Sequence, residues 1–217
     1  GPCITGIVDL RGQAKLDDGM VLEEGSIPGA LAPFLPTGMA AAAKAVGKDT
    51  DSGIADFLRE RLREVDSLIR GPYHGATRNT QTFLVMAHDG ASGKMRLDDD
   101  RLRIDWPGVG DQPVFETAND RLEQATAKVG GTFVKDPIWT KTLGDSLVTV
   151  HPLGGCSMAD AAEAGVVDHE GRVFAGASGT AIHEGLHVAD GSIIPRSLGV
   201  NPLLTICALA ERNTRLL

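Results

Sequence analysis

Residues 150–156 read VHPLGGC, and residues 189–213 read ADGSIIPRSLGVNPLLTICALAERN. What this chain folds into turns on how these two stretches are read. In the first, His151 stands against Pro152 and the Gly154-Gly155 pair, backbone that lets another group approach closely. A histidine there is either turn filler or a base presented on rigid backbone, since a neutral imidazole suits proton abstraction near neutral pH. The second stretch reads as a helix. Asn201 is a favoured N-cap, and Pro202 fits the first helical position, where a missing N–H costs nothing. Leu203, Leu204, Ile206, Cys207, Leu209 and Ala210 would form the buried side of that helix. Asn201 either only caps it or adds a polar group where about half a positive charge favours an anion. Leu186–Ala189 reads as a strand ending in Asp190-Gly191. That junction is a plain turn or one that delivers backbone N–H groups to a cofactor.

Working outward, 217 residues suffice for one large domain or two small ones with a real core. Aromatic residues make up only 4%, so the core must rest on Leu, Val, Ile and Ala. A net charge of −8 with no basic stripe argues against a nucleic-acid partner. Cys3, Cys156 and Cys207 are far apart and odd in number. They read as reduced thiols and favour the cytoplasm, with the compartment otherwise open. His151, His169, His183 and His187 match no metal-binding spacing, so no metal is expected. No apolar run approaches the roughly 18 residues of a membrane-spanning helix. The chain opens GPCITGIVDLRG as though in mid-fold, so a fragment is expected, with any secretion signal upstream of Gly1.

The first 150 residues read as an antiparallel sheet covered by helices. CITGIVDL and GMVLEEGSIPG are strand candidates, and the Ala-rich run from Leu31 to Val46 favours helix. In SGIADFLRERLREVDSLIRG, Ile54, Phe57, Leu58, Leu62, Val65 and Ile69 recur at helical spacing opposite a charged face. That pattern predicts a helix lying on a sheet. TQTFLVMAHD, GKMRLD and RLRIDW read as three strands joined by Gly/Asp turns and paired antiparallel. A helix with Pro113 near its start ends at Gly130-Gly131, and GTFVKD follows as a strand candidate. Glu23 and Glu24 lie in LEEGSIPG, where strand alternation sends one carboxylate to each face, so at most one enters a pocket beneath the sheet. After His151 the glycines cluster, which places a boundary between regions 1–150 and 151–217.

HPLGGC, VDHEGRVF, LHVADGSIIP, GVNPLLT and ALAERN, in that order, resemble the C-terminal portion of the GMC (glucose–methanol–choline) flavin oxidoreductases, most of all the bacterial cholesterol-oxidase branch. EEGSIPG and RLRIDWPG extend the likeness more loosely toward the N-terminus. The resemblance implies an α+β fold: a substrate-binding sheet with covering helices over 1–150, then the C-terminal elements of an FAD-binding, Rossmann-like domain. It implies oxidation of a CH–OH group, in a 3β-hydroxysteroid or similar sterol, by an FAD-dependent oxidase or dehydrogenase. His151 falls on the active-site base and Asn201 on the second polar residue. Glu23 falls on the carboxylate near the steroid, with Glu24 one step away. Asp190, Gly191, Pro202 and Leu203 fall on positions lining the flavin. The implied partners are a small-molecule alcohol and the remainder of a parent chain. Leu203 stands where many cholesterol oxidases have Phe, and GASGTAIHEG is longer than the corresponding stretch in shorter relatives.

No strand–GxGxxG–helix unit, the pyrophosphate cradle of such a domain, occurs in these residues. The chain alone is therefore expected to be inactive. A second reading makes it a noncatalytic lipid- or steroid-binding or interaction module. The absorption spectrum of the purified chain separates the two. A colourless protein is expected, and a flavin spectrum would show that the chain holds FAD unaided.

Overall fold

A computed structural model describes residues 4–51 and 53–217 as short strands alternating with helices, in an α+β arrangement. In chain order these are β1 (Ile7–Asp9), β2 (Met20–Gly25), α1 (Leu35–Val46), β3 (Gly47–Asp49), α2 (Ile54–Arg70), α3 (Gly75–Arg78) and β4 (Thr82–Ala87). Then follow β5 (Lys94–Asp98), β6 (Arg101–Asp105), α4 (Pro113–Val129), β7 (Thr132–Val134), β8 (Arg172–Phe174), β9 (Ile182–His187) and α5 (Leu203–Arg215). Among the described residues no helix is long and apolar enough to cross a membrane. Cys3, where the first expected strand begins, lies outside the described residues. Cys156 and Cys207 are free thiols.

In place of one antiparallel sheet, the described strands form a three-stranded sheet in the order β1-β2-β4 and three two-stranded pairs, β3-β7, β5-β6 and β8-β9. The three pairs are antiparallel. The hairpin expected at 94–105 is present, with Met95 opposite Ile104 and Leu97 opposite Leu102. β4, expected beside it, instead joins β2, because turn signals fix where a strand ends and not which strand lies next to it.

The chain divides into two compact units that share the sequence by turns. The first takes residues up to Asp9, Leu22–Val85 and Pro113–Leu147; the second takes Leu10–Val21, Met86–Gln112 and Val148–Leu217. The last crossing falls close to the composition change at His151, whereas the four earlier ones left no mark on composition.

In the first unit α2 is held by a buried serine. The Ser67 hydroxyl lies 3.0 Å from the Arg63 carbonyl and 2.9 Å from that of His74, and it accepts the Thr77 N–H at 3.0 Å. This ties α2 to the short helix α3. The apolar stripe predicted to lie on a sheet is not covered: Ile54, Phe57, Leu58, Leu62, Val65 and Ile69 are each at least half exposed. Periodicity places these residues on one helix face, but it does not supply the surface that face meets. Across the unit, β3 and β7 run side by side from Gly47↔Val134 to Asp49↔Thr132. Nearby, the Asp51 carboxyl is raised by its hydrogen bond to Asp49, with burial and the charges of Asp56 and Glu60 adding to the effect.

The second unit has a core of its own. Val167, Ile193 and Ile194 are buried, and Leu153, Met158, Ile206 and Leu209 pack on them. Each fully buried aliphatic side chain contributes about 1.5–3 kcal/mol. Asp168 anchors the adjacent turn: its carboxylate accepts backbone N–H groups of Glu170 and Arg172 at 2.9 and 3.0 Å and meets the Arg172 guanidinium at 2.6 Å. Burial pushes that carboxyl up, but the Arg172 side chain and the two amides together hold it below the usual range. Its stabilising contribution is therefore present above the ordinary carboxylate pKa and is lost as pH falls through the lowered value.

Two expectations here shift. β9 occupies Ile182–His187 rather than 186–189. On α5 the residues Leu203, Leu204 and Cys207 are exposed, and Ile206 and Leu209 alone of the apolar stripe reach the core. The turn between Asp168 and Arg172 requires a glycine at 171, with φ of +78°. A Cβ there would stand 2.5 Å from the Val188 carbonyl oxygen and 2.8 Å from Asn213 Nδ2. Gly171→Ala is expected to destabilise the second unit by about 2–4 kcal/mol, read as a lowered urea midpoint with unchanged slope.

Candidate active site

Pro152 and two left-handed glycines shape the turn that carries His151. Gly154 and Gly155 have φ of +80° and +101°, conformations that residues with a side chain rarely adopt. His151 itself is exposed, while Leu153, two residues on, turns into the core. The thioether of Met95, from the β5-β6 hairpin, occupies the space a Cβ on Gly155 would need.

Beyond the turn, alternate amides point the same way. The N–H groups of Gly154, Cys156 and Met158 donate to the carbonyls of Gly191, Ser192 and Ile193 at 3.3, 3.0 and 2.9 Å. Gly191–Ile193 is a single 3-10 turn opened by Asp190. Gly191 is pinned on its other side as well. A Cβ there would lie 3.0 Å from Ile206 of α5 and 3.1 Å from Leu153. The segment after His151, the Asp190-Gly191 turn and α5 therefore meet at one glycine.

The Asp190 carboxylate accepts both the Ser192 N–H, at 2.8 Å, and the Ser192 hydroxyl, at 2.5 Å. These two bonds hold its carboxyl below the usual range. Of the amides such a turn could offer to a cofactor, that of Ser192 is used internally.

Asn201 was expected to cap α5 from the N-cap position. The helix instead begins at Leu203, with Pro202 as N-cap and no side-chain cap on that residue. The buried Pro202 carbonyl accepts the Ile206 N–H at 2.9 Å. The amides of Leu203, Leu204 and Thr205 consequently have no acceptor within the helix. Leu203 and Leu204 are 67% and 82% exposed. Open first-turn donors with the helix dipole behind them suit the negative charge a reduced flavin carries, so this end of α5 fits such a cofactor.

Glu23 and Glu24 belong to the first unit. Their burial differs: Glu23 is 2% exposed, whereas Glu24 is half-buried. Glu24 accepts the Thr5 hydroxyl and lines a cleft of about 200 Å³ with Ile27, Met39 and Tyr73. Sequence reasoning passes over one buried polar group of the second unit, His88, whose Nδ1 donates to the Ser197 carbonyl at 3.2 Å. Nothing in FLVMAHD signals that bond, because its acceptor lies far along the chain.

A family model described as GMC oxidoreductase matches residues 90–210. The chain is 38% identical over 144 residues to a cholesterol oxidase of Acinetobacter baumannii, covering 62% of this chain and 24% of that protein. It is 36% identical over 95 residues to a long-chain-alcohol oxidase of Arabidopsis thaliana, covering 44% of this chain and 11% of that protein. With a cholesterol oxidase of Mycobacterium tuberculosis it shares 37% over 94 residues, 43% of this chain and 14% of the relative. The chain thus spans about a quarter or less of the length of these relatives.

Replacing Asp190 by Ala removes the acceptor that closes the 191–193 turn. The expected loss is about 1 kcal/mol, with faster amide exchange at Ser192, and Asp190→Asn should recover most of both.

Proposed function

The chain belongs to the GMC oxidoreductase family, and on that footing we propose that the protein carrying it oxidises the CH–OH group of a bulky apolar alcohol of sterol type, with FAD as cofactor. One observation supports this most. The turn bearing His151, the turn opened by Asp190 and the open N-terminus of α5 pack against one another in a single unit, around Gly191. The sterol class rests on the cholesterol oxidases among the relatives, and the long-chain-alcohol oxidase marks the nearest alternative.

In this reading, residues 1–150 form the substrate-binding region, and residues 151–217 complete the C-terminal part of the FAD-binding domain. Asp190, Gly191, Pro202 and Leu203 hold the flavin. When bound, FAD supplies the acceptor for the hydride that leaves the carbinol carbon. A ring nitrogen of His151 takes the hydroxyl proton, and Asn201 orients the hydroxyl oxygen. The N-terminal turn of α5 favours the negative charge that accumulates beside it. Burial of Glu23 suits a carboxyl that moves a proton within the ketone product, an isomerisation following the oxidation.

In the full-length protein, His151→Ala is expected to slow flavin reduction by the alcohol about 10²–10⁴-fold while the bound-FAD spectrum is retained. Unchanged reduction kinetics in stopped flow would overturn the assignment of the base. Glu23→Gln is expected to leave the oxidation rate within about 3-fold and to abolish the isomerised product, the split that marks a residue acting after the redox step.

A further inference from the structure

β4 ends at Ala87, and the next residue, His88, is only 8% exposed. Its Nδ1 faces the Ser197 carbonyl at 3.2 Å. A carbonyl can only accept, so Nδ1 carries a proton. The Ser197 hydroxyl, in turn, donates to the Ala87 carbonyl. Two successive residues at the end of β4 therefore grip one serine by its backbone and its side chain together.

The next residues are held just as closely. Leu198 packs against the core formed by Val167, Ile193 and Ile194. Gly199 is buried with φ of +65°, and a Cβ on it would stand 2.5 Å from His88 Nε2. The backbone of the turn is laid directly against the imidazole ring. Two residues further on is Asn201, and then Pro202 and the first turn of α5.

We infer that His88 is a positioning residue: by fixing the turn 197–199 it sets where Asn201 stands ahead of α5. The inference rests on the proposed role of Asn201 in orienting the substrate oxygen. Without the Nδ1 donor, the half-buried Ser197 carbonyl has one partner fewer, and the turn relaxes to satisfy it. A displacement of about 1 Å in a group that orients substrate is enough to slow a reaction by as much as about 10²-fold.

The test uses the full-length flavin-loaded enzyme with His88→Leu, His88→Asn, Asn201→Ala and the His88→Leu/Asn201→Ala pair. His88→Leu is expected to lower kcat about 10–100-fold, with KM within about 3-fold of wild type and FAD still bound. His88→Asn, whose amide nitrogen sits near the place of Nδ1, should recover most of kcat. In the Asn201→Ala background, adding His88→Leu should cost less than about 3-fold, because the two changes remove one effect. Independently of turnover, long-range ¹H–¹⁵N spectra should show the His88 ring as the Nδ1–H tautomer.

Losses that multiply in the double variant, absence of recovery by His88→Asn, or the Nε2–H tautomer each overturn the positioning role. An Asn201→Ala enzyme with wild-type kcat overturns the role of Asn201, and this inference with it. If His88→Leu does not retain FAD, His88→Asn and the tautomer still decide the matter.

Discussion

Three backbone hydrogen bonds between residues 154–158 and one helical turn hold the second unit together. The amides of Gly154, Cys156 and Met158 reach the successive carbonyls of Gly191, Ser192 and Ile193. Alternate residues of one segment thus meet successive residues of the other. The arrangement also needs Gly191 to lack a side chain. Leu153 and Ile206 already close on the point where its Cβ would be. From this seam the order spreads outward: Met158 bridges to Val167, Val167 to Val173, and Ile193 and Ile194 fill the core between them.

Much of this was legible in the residues themselves. The Gly/Asp turns beside GKMRLD and RLRIDW mark a hairpin at 94–105, and the two strands are present and antiparallel. Pro113 and Gly130 bracket a helix that runs from Pro113 to Val129. The Asn-Pro pair marks the start of the last helix to within one residue, about the margin within which helix ends are defined at all. The motifs flanking His151 and Asp190 were enough to recognise the family.

What escaped the sequence has a common cause, which is partnership over distance. The apolar stripe of α2 is where its periodicity puts it, yet among the described residues most of it stays exposed. β4 looks like a neighbour of the strands that follow it, yet it pairs with β2. His88 follows an apolar strand and carries no local sign that its ring meets a serine carbonyl 109 residues later. Likewise, the division into units passes through 10–21 and 86–112 without any change of composition. The glycine-rich region after His151 did announce itself, because tight turns with positive φ leave a compositional trace and tertiary pairing leaves none.

The tether between His88 and Ser197 also bears on how the chain reaches this state. It closes a loop of 109 residues, whereas the seam between Gly154 and Gly191 closes one of roughly 40. By loop-closure entropy the longer link is dearer by about 1 kcal/mol. Contacts of long sequence separation also form late, after local ones have shortened the effective chain. The seam and its core can therefore assemble first as a local nucleus. The strand end carrying His88 arrives afterwards, so the start of α5 takes its final alignment among the last events of folding.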